Sequence, residues 1–223
     1  MQNQSKVIFS NFYDEYSRYI DKYSEFRQRD TNTYRILKRI IDLIVCLAVL
    51  PLAIILIIIF SIIIRLETPG RAFFTQIRVG YKGRYFKLYK LRSMHQYAEK
   101  NGPVWAQKND PRVTKVGKFI RVTRIDELPQ LFNVIKGDMS IVGPRPERPS
   151  LTAEFEEQYP GFVKRLNVKP GLTGWAQING GYDITPYEKL KLDLYYMKNK
   201  SIKLDFKIML RTVKVLLTGD GAR

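Results

Sequence analysis

Two adjacent carboxylates, Asp126 and Glu127, precede Pro129 in the stretch IDELPQLFNVIKG of a strongly basic chain. The chain has 38 Lys and Arg against 21 Asp and Glu, a formal net charge of +17. Two interpretations of the pair are open. Acidic residues just before a helix commonly cap its free N–H groups. Carboxylates also hold Mg²⁺ together with phosphate oxygens, and an aspartate can act as a nucleophile.

Cations near this pair in the sequence favour the second interpretation. Arg121 and Arg124 precede the acids, and Arg145 follows them in the loop GPRP. Opposite charges keep buried carboxylates ionised, and a guanidinium held between two prolines suits a phosphate. Lys90 and Arg92 end a predicted strand and would add further cations. Two acids with several cations are the groups that Mg²⁺-dependent phosphoryl transfer requires.

The remaining composition excludes other chemistries. Cys46 is the single cysteine and His95 the single histidine, so the chain has no internal disulfide, thiolate metal cluster or two-histidine metal site. The net charge favours a polyanionic partner. No nucleic-acid-binding motif is visible, and we therefore expect no nucleic-acid partner. A basic binding module at a membrane, or an inactive scaffold, would leave the acid pair unexplained.

An uncharged apolar run over residues 43–64 is long enough for a bilayer core of ~30 Å. Pro51 lies inside it and predicts a kink or a break. Basic residues flank both ends, so charge asymmetry does not orient a span. A helix broken at Pro51 that enters and leaves by one face, and a kinked single span, both fit the pattern. We expect Asp42 to pair with Lys38 or Arg39 at the membrane edge.

The rest of the chain predicts a compact domain that is mainly α-helical with a small β-hairpin. The hairpin turns at residues 80–83, and a helix beginning near Pro129 ends at Gly137. Residues 159–181 are predicted to be irregular. Two basic amphipathic helices, over 186–201 and 203–219, either lie in the membrane interface or pack on the core. The predicted divisions are an N-terminal arm (1–35), a membrane helix (36–65) and a cytoplasmic catalytic domain (66–223).

Five ordered motifs carry a resemblance to a known family. They are KRIIDLIVCLAVLPL, FKLYKLRSM, DPRVTKVGKFIRVTRIDELPQ, GPRPE and KPGLTGWAQING. From about residue 35 to its end, the chain resembles bacterial sugar transferases, the monotopic polyprenol-phosphate phosphoglycosyl transferases. The resemblance implies a re-entrant membrane helix broken at Pro51 and interfacial amphipathic helices around the catalytic domain. It places the protein at the cytoplasmic face of the bacterial inner membrane.

The activity that the resemblance implies is sugar-1-phosphate transfer from a UDP-sugar to polyprenyl (undecaprenyl) phosphate, with release of UMP. A covalent phosphosugar–aspartate intermediate and Mg²⁺ belong to this expectation, and the product would initiate assembly of a membrane-linked glycan. The transferred sugar, the polyprenol length and the pathway stay open. The oligomeric state also stays open, a homodimer included.

Residue roles follow from the matched motifs. Asp126 is expected to be the nucleophile, and Glu127 to position Mg²⁺ or the acceptor, with both acids as metal ligands. The phosphates or the nucleotide would be bound by Lys90, Arg121, Arg145 and Pro146.

Two further observations concern the matched motifs. Leu50 precedes Pro51 where some members have serine, which leaves the geometry of the break open. Trp175, Gln177 and Asn179 match a family motif, and loop packing is the expected role of Trp175.

Overall fold

The computed structural model describes residues 12, 31–98, 100, 110–180 and 184–218, with the backbone alone for 217 and 218. Most of these residues are helical, and the strands are short, which confirms the predicted mainly α-helical composition. In chain order, the elements from residue 31 onward are α1 (Asn32–Glu67), β1 (Phe73–Val79), β2 (Tyr85–Leu91), α2 (Lys115–Val122), α3 (Leu131–Lys136), β3 (Ser140–Val142), α4 (Pro149–Gln158), β4 (Gly171–Thr173), α5 (Trp175–Gly180), α6 (Pro186–Asn199) and α7 (Ile202–Thr218). Short 3₁₀ helices cover Tyr81–Gly83, Ile125–Gln130 and Phe162–Asn167.

The apolar run forms the centre of α1, a helix of 36 residues that begins at the Thr31 cap. It starts four residues before the predicted boundary and ends two residues after it. Pro51 lies inside the helix, and the residues on both sides of it are helical. Among the described residues, α1 is the one helix long and apolar enough to cross a membrane. Its re-entrant course stays a prediction.

One face of α1 packs against the rest of the protein along much of its length. Cys46 and Ala53 belong to the main hydrophobic core. Ile57 and Ile64 belong to a second cluster with Leu91 of the hairpin. The other face carries exposed isoleucine and leucine side chains. The helix is therefore an integral part of the folded domain, and its outward face is apolar.

Asp42 does not form the ion pair that the sequence predicts. Its carboxylate accepts hydrogen bonds from Ser140 Oγ and Ile141 N, both at 3.0 Å, and so ties α1 to β3. Arg39 donates instead to two backbone carbonyls of α3, and Lys38 pairs with an aspartate of α7 at 2.8 Å. The sequence pattern suggested partners on neighbouring helical turns, whereas these groups bind other elements.

The predicted hairpin is confirmed. Strands β1 and β2 are antiparallel, with Phe73 opposite Leu91 and Val79 opposite Tyr85. The connection closes with Gly80 N donating to Arg84 O at 2.7 Å. Phe86 and Leu88 of β2 pack in the main hydrophobic core, and Lys90 lies on the same face of the strand, near its end.

A second, parallel strand pair was not predicted. Ser140 of β3 lies opposite Gly171 of β4, and Val142 lies opposite Thr173. Gly143 follows directly, and a Cβ at this position would lie 2.4 Å from the Lys169 carbonyl oxygen. The close approach therefore requires glycine and sets the GPRP loop against residues 169–174. Helices α4 and α5 were not predicted either.

The helices α6 and α7 complete the domain. Thr185 and Glu188 form a capping box at the start of α6. Met197 of α6 and Ile208 of α7 are fully buried in the main core, which confirms the packing alternative for one face of each helix. The outer face of α7 exposes large apolar side chains, so its placement in a membrane interface stays a prediction.

The predicted N-terminal arm lies mostly outside the described residues. Phe12 is described and is fully buried against Val79, Tyr85 and neighbouring apolar side chains.

Candidate active site

Both acids lie inside the 3₁₀ helix Ile125–Gln130, rather than in the predicted loop before a helix. Arg124 enters this turn in the left-handed region, with φ of 58°. The α-helical part begins at Leu131 and ends at Gly137, whose φ of 89° confirms the predicted terminus. Both acids lie in the first turn of this 3₁₀ helix, and neither is the N-cap residue of it or of the following helix. Neighbouring residues of a 3₁₀ helix point about 120° apart, so the two carboxylates face different surroundings.

Glu127 is held between two cations. Lys90 Nζ donates to Oε1 at 2.9 Å, and the Arg145 guanidinium donates to both carboxylate oxygens. Burial opposes ionisation of this side chain, but Arg145 and Lys90 outweigh it and hold the pKa of Glu127 well below its usual range. Glu127 is therefore an ionised anchor for the two basic side chains.

Asp126 is buried but much less engaged. Its nearest cation is Lys90, with Nζ 3.7 Å from Oδ2, and no described residue donates a hydrogen bond to the carboxylate. Burial raises the pKa of Asp126, Lys90 opposes the effect, and the charge of Glu127 raises the pKa further. A poorly solvated carboxylate without hydrogen bonds keeps its lone pairs available for an electrophile.

Asp126 lines a cleft of about 1010 Å³ between the hairpin, α4, α5 and α6. The wall is strongly cationic, and Asp126 and Glu147 are the described acidic residues on it. Its basic residues are Arg65, Arg71, Arg78, Lys90, Arg92, Lys100, Arg121, Arg124, Arg145, Arg148 and Lys189. Such a wall favours a ligand that carries several negative charges.

The structure brings most of the predicted site residues together. Lys90, Arg121 and Arg145 line the cleft with Asp126, and Arg121 Nε also donates to a serine Oγ at 2.8 Å. Pro146 lies behind this wall. Its carbonyl accepts a hydrogen bond of 3.1 Å from Arg78, so Pro146 contributes to the loop's position.

Arg92 does not serve as the free cation that the strand pattern predicts. Its guanidinium donates to Thr68 O at 2.8 Å and to Pro69 O. These carbonyls follow the C-terminal end of α1. Arg92 therefore ties the end of α1 to the hairpin.

The motif at residues 175–179 has mainly structural contacts. Trp175 stacks on Tyr195 with ring centroids 5.4 Å apart, as the packing interpretation predicts. Asn179 Nδ2 donates to the Trp175 carbonyl at 2.7 Å. Gln177 lines the cleft.

The charged residues of the cleft wall that sequence reasoning missed include Arg78, Glu147, Arg148 and Lys189. Glu147 binds Lys189 and lies 3.5 Å from Arg78. Burial opposes ionisation of Glu147, yet the two cations lower its pKa to about 2. The position of Glu147 directly after GPRP could have identified it as a site residue. Nothing in the sequence indicates that Lys189 pairs with Glu147.

The metal expectation rests on Asp126 and Glu127. No cluster of three or more His, Cys, Asp or Glu side chains suited to a metal occurs in the described part of the chain. Proteins usually hold Mg²⁺ with one or two carboxylates plus substrate phosphates, and Asp126 presents one such carboxylate to the anion-binding cleft, whereas Glu127 binds Lys90 and Arg145.

Comparison with known proteins agrees with this geometry. Residues 33–219 match the family described as bacterial sugar transferase. Over 193 residues, the chain is 45% identical to the UDP-N-acetylgalactosamine-undecaprenyl-phosphate N-acetylgalactosaminephosphotransferase of Aeromonas hydrophila, covering 85% of this chain but 46% of that protein.

Two further relatives differ in how much of them is covered. The chain is 40% identical to the UDP-glucose:undecaprenyl-phosphate glucose-1-phosphate transferase of Caulobacter vibrioides, over 83% of this chain and 71% of that protein. It is 41% identical to an uncharacterized sugar transferase of Bacillus subtilis, over 83% of this chain and 90% of that protein. The chain thus spans less than half of the Aeromonas relative and most of the Bacillus one. With a family match that covers most of its length, the chain belongs to the bacterial sugar transferases.

Proposed function

We propose that this protein transfers a sugar-1-phosphate from a UDP-sugar to undecaprenyl phosphate, with Asp126 as the nucleophile. One observation carries the proposal: Asp126 is a buried carboxylate without a described hydrogen-bond donor, and it faces a cationic cleft. The names of the relatives support the substrate classes, since they combine undecaprenyl phosphate with UDP-N-acetylgalactosamine or UDP-glucose. Because those names differ in the sugar, the sugar donor of this chain has to be identified by experiment.

The reaction has two steps that balance without a proton. An oxygen of Asp126 attacks the sugar-side phosphorus, and the bond from that phosphorus to the bridging oxygen breaks. The electron pair leaves with UMP, and the sugar phosphate stays on the aspartate as an acyl phosphate. A phosphate oxygen of the polyprenol then attacks the same phosphorus. The bond to Asp126 breaks, the carboxylate is restored, and a polyprenyl-diphosphate-linked sugar is released.

The surrounding residues support both steps by electrostatics. Arg121, Arg145 and Lys90 would neutralise phosphate charge that grows on the leaving UMP. Glu127 holds Lys90 and Arg145 beside the nucleophile. Asp126 and Glu127 are the residues that would hold Mg²⁺, which neutralises phosphate charge when it is bound.

The proposed location is the cytoplasmic face of the bacterial inner membrane, with α1 re-entrant. Arg39 near one end of α1 and Ile64 near the other both contact the same domain, as do buried residues between them. A helix that spans the bilayer would carry its two ends to opposite sides, away from a single soluble domain. Continuous packing on one domain therefore supports a course within one face of the membrane.

Labelling of single cysteines tests this course. Leu37 and Leu66 are exposed, near opposite ends of α1, and each is changed to Cys in a Cys46→Ala background. In intact cells, a maleimide that cannot cross the inner membrane should label neither position until that membrane is permeabilised. Labelling of either one in intact cells would exclude the re-entrant course.

The activity test uses the full chain in lipid nanodiscs with undecaprenyl phosphate, Mg²⁺ and a panel of UDP-sugars. Transfer of labelled sugar into an organic-extractable lipid is expected for at least one donor. With donor alone, mass spectrometry should find a phosphosugar adduct on Asp126 and none in Asp126→Asn. Asp138→Asn is the matched control, because Asp138 lies after α3 and does not line the cleft. Near-normal transfer by Asp126→Asn would exclude Asp126 as the nucleophile.

A further inference from the structure

The loop that carries Arg145 is held from three directions through consecutive backbone carbonyls. Pro144 O accepts from Gly171 N at 2.9 Å, Arg145 O from the Arg165 guanidinium at 2.8 Å, and Pro146 O from Arg78 at 3.1 Å. The two prolines have no N–H group, so the loop offers mostly acceptors. Its position therefore depends on donors supplied by other elements.

Arg165 is the donor that acts on Arg145 itself, and it is held in turn by Asp193 of α6. Arg165 Nε lies 2.7 Å from Asp193 Oδ2, and the two side chains are 5% and 1% exposed. The same guanidinium lies 4.5 Å from the centre of the Phe162 ring. The planar fork of donors allows Arg165 to bind the carboxylate and the loop carbonyl at once.

These contacts form a continuous connection to the acid pair. Asp193 binds Arg165, Arg165 binds the backbone of Arg145, and the side chain of Arg145 binds Glu127. Neither Arg165 nor Asp193 lines the cleft. A buried ion pair is by itself weak evidence for stability, since desolvation offsets most of the attraction. In this pair, however, Arg165 also donates to the carbonyl of Arg145, which indicates a role in positioning the loop.

We propose that Arg165 and Asp193 are positioning residues for sugar-phosphate transfer, which fix where the Arg145 guanidinium stands. This inference rests on the proposed function. When Arg165 cannot bind both partners, the Arg145 carbonyl loses its donor and the loop shifts. The guanidinium of Arg145 is then misplaced relative to Glu127 and to the substrate phosphates. A misplacement of about 1 Å in a catalytic arrangement can lower the rate by about 100-fold.

A double-mutant cycle tests the proposal. Arg165→Lys keeps the charge but loses the fork, and kcat and KM are measured for it, for Arg145→Ala and for the double variant. We expect Arg165→Lys to lower kcat/KM by about tenfold to 100-fold, mostly through kcat. In the Arg145→Ala background, it should cause little further loss, because the side chain that it positions is gone.

The matched control is Arg39→Lys, which also removes guanidinium bonds to backbone carbonyls, at the end of α3. Its effect on kcat/KM should multiply with that of Arg145→Ala, as for independent sites. Asp193→Asn, which keeps the side-chain shape, replaces Arg165→Lys if the latter does not fold. Circular dichroism and a thermal midpoint identify folded variants.

The outcomes separate the two proposals. The wild-type chain could be active while Arg165→Lys lowers kcat/KM by the same factor with Arg145 present and with Arg145→Ala. That result would show a merely structural role for Arg165 and overturn this inference alone. Unchanged kcat/KM in both Arg165→Lys and Asp193→Asn would overturn it as well. A folded wild-type chain that transfers no sugar phosphate would overturn the proposed function, and this inference with it.

Discussion

Replacing Glu127 by glutamine separates the roles of the two neighbouring acids. The variant keeps the shape of the side chain and removes the charge that holds Lys90 and Arg145. Asp126 keeps its carboxylate. If Glu127 anchors cations and Asp126 is the nucleophile, Glu127→Gln should still form the covalent adduct, but slowly.

The expected loss follows from the contacts that disappear. A hydrogen bond to a charged group contributes about 1.5–3 kcal/mol. The side chains of Lys90 and Arg145 are 18% and 22% exposed, so solvent screens them in part. One such bond to each cation would contribute about 3–6 kcal/mol in total, and we reduce this to about 2–3 kcal/mol for the screening. Expressed entirely in the transition state, this energy lowers kcat/KM by roughly 30- to 150-fold. Asp126→Asn should lose about 10⁴-fold or more.

The assay is rapid-quench measurement of adduct formation with labelled UDP-sugar, followed by its transfer to undecaprenyl phosphate. Glu154→Gln is the matched control, because its side chain is exposed on α4. The assigned roles would be refuted if Glu127→Gln formed no adduct, like Asp126→Asn, or if it reacted at the wild-type rate.

Three further predictions concern charge. Lys90→Met should raise the pKa of Asp126 further, because it removes a cation that favours the ionised carboxylate. The acidic limb of the pH dependence of kcat/KM should therefore move to higher pH. An unmoved limb would contradict the assignment of Asp126 as the nucleophile. The pKa of Glu147 is about 2 against an ordinary 4.5, so its ionised form stabilises the fold above pH 4.5 and this contribution is lost as the pH falls toward 2. The thermal midpoint of Glu147→Gln should therefore lie below that of the wild type at pH 7, by a margin that shrinks on acidification; a constant margin would contradict this explanation. Chelation with EDTA should abolish transfer and added Mg²⁺ should restore it, whereas full activity in EDTA would remove Mg²⁺ from the proposal.

Much of the fold could be predicted because several segments carry strong local signals. The uncharged run predicts α1, and alternating aromatic and β-branched residues around residues 80–83 predict the hairpin. Gly137 adopts the left-handed conformation that ends α3. The acid pair and its cations were recognisable as well, because proximity in sequence and in space coincide for Arg121 and Asp126.

The remaining features depend on contacts distant in sequence. Strands β3 and β4 have three residues each, too short to show any period. Lys90 lies in β2 and faces the acids, whereas Arg92 follows the end of the strand, so alternation no longer governs its direction. The Arg165–Asp193 pair joins residues 28 positions apart, and no local pattern relates them.

Because Cys46 and Ala53 of α1 pack in the same core as Val134 and Met139, α1 and the rest of the described domain share one hydrophobic core. Deleting α1 to obtain a water-soluble enzyme would open that core rather than release an intact domain. If α1 lies in the membrane as proposed, the lipid or detergent around its outward face is part of the solvent in which the domain folds. We expect preparations in different detergents to differ in the integrity of the active site as well as in solubility.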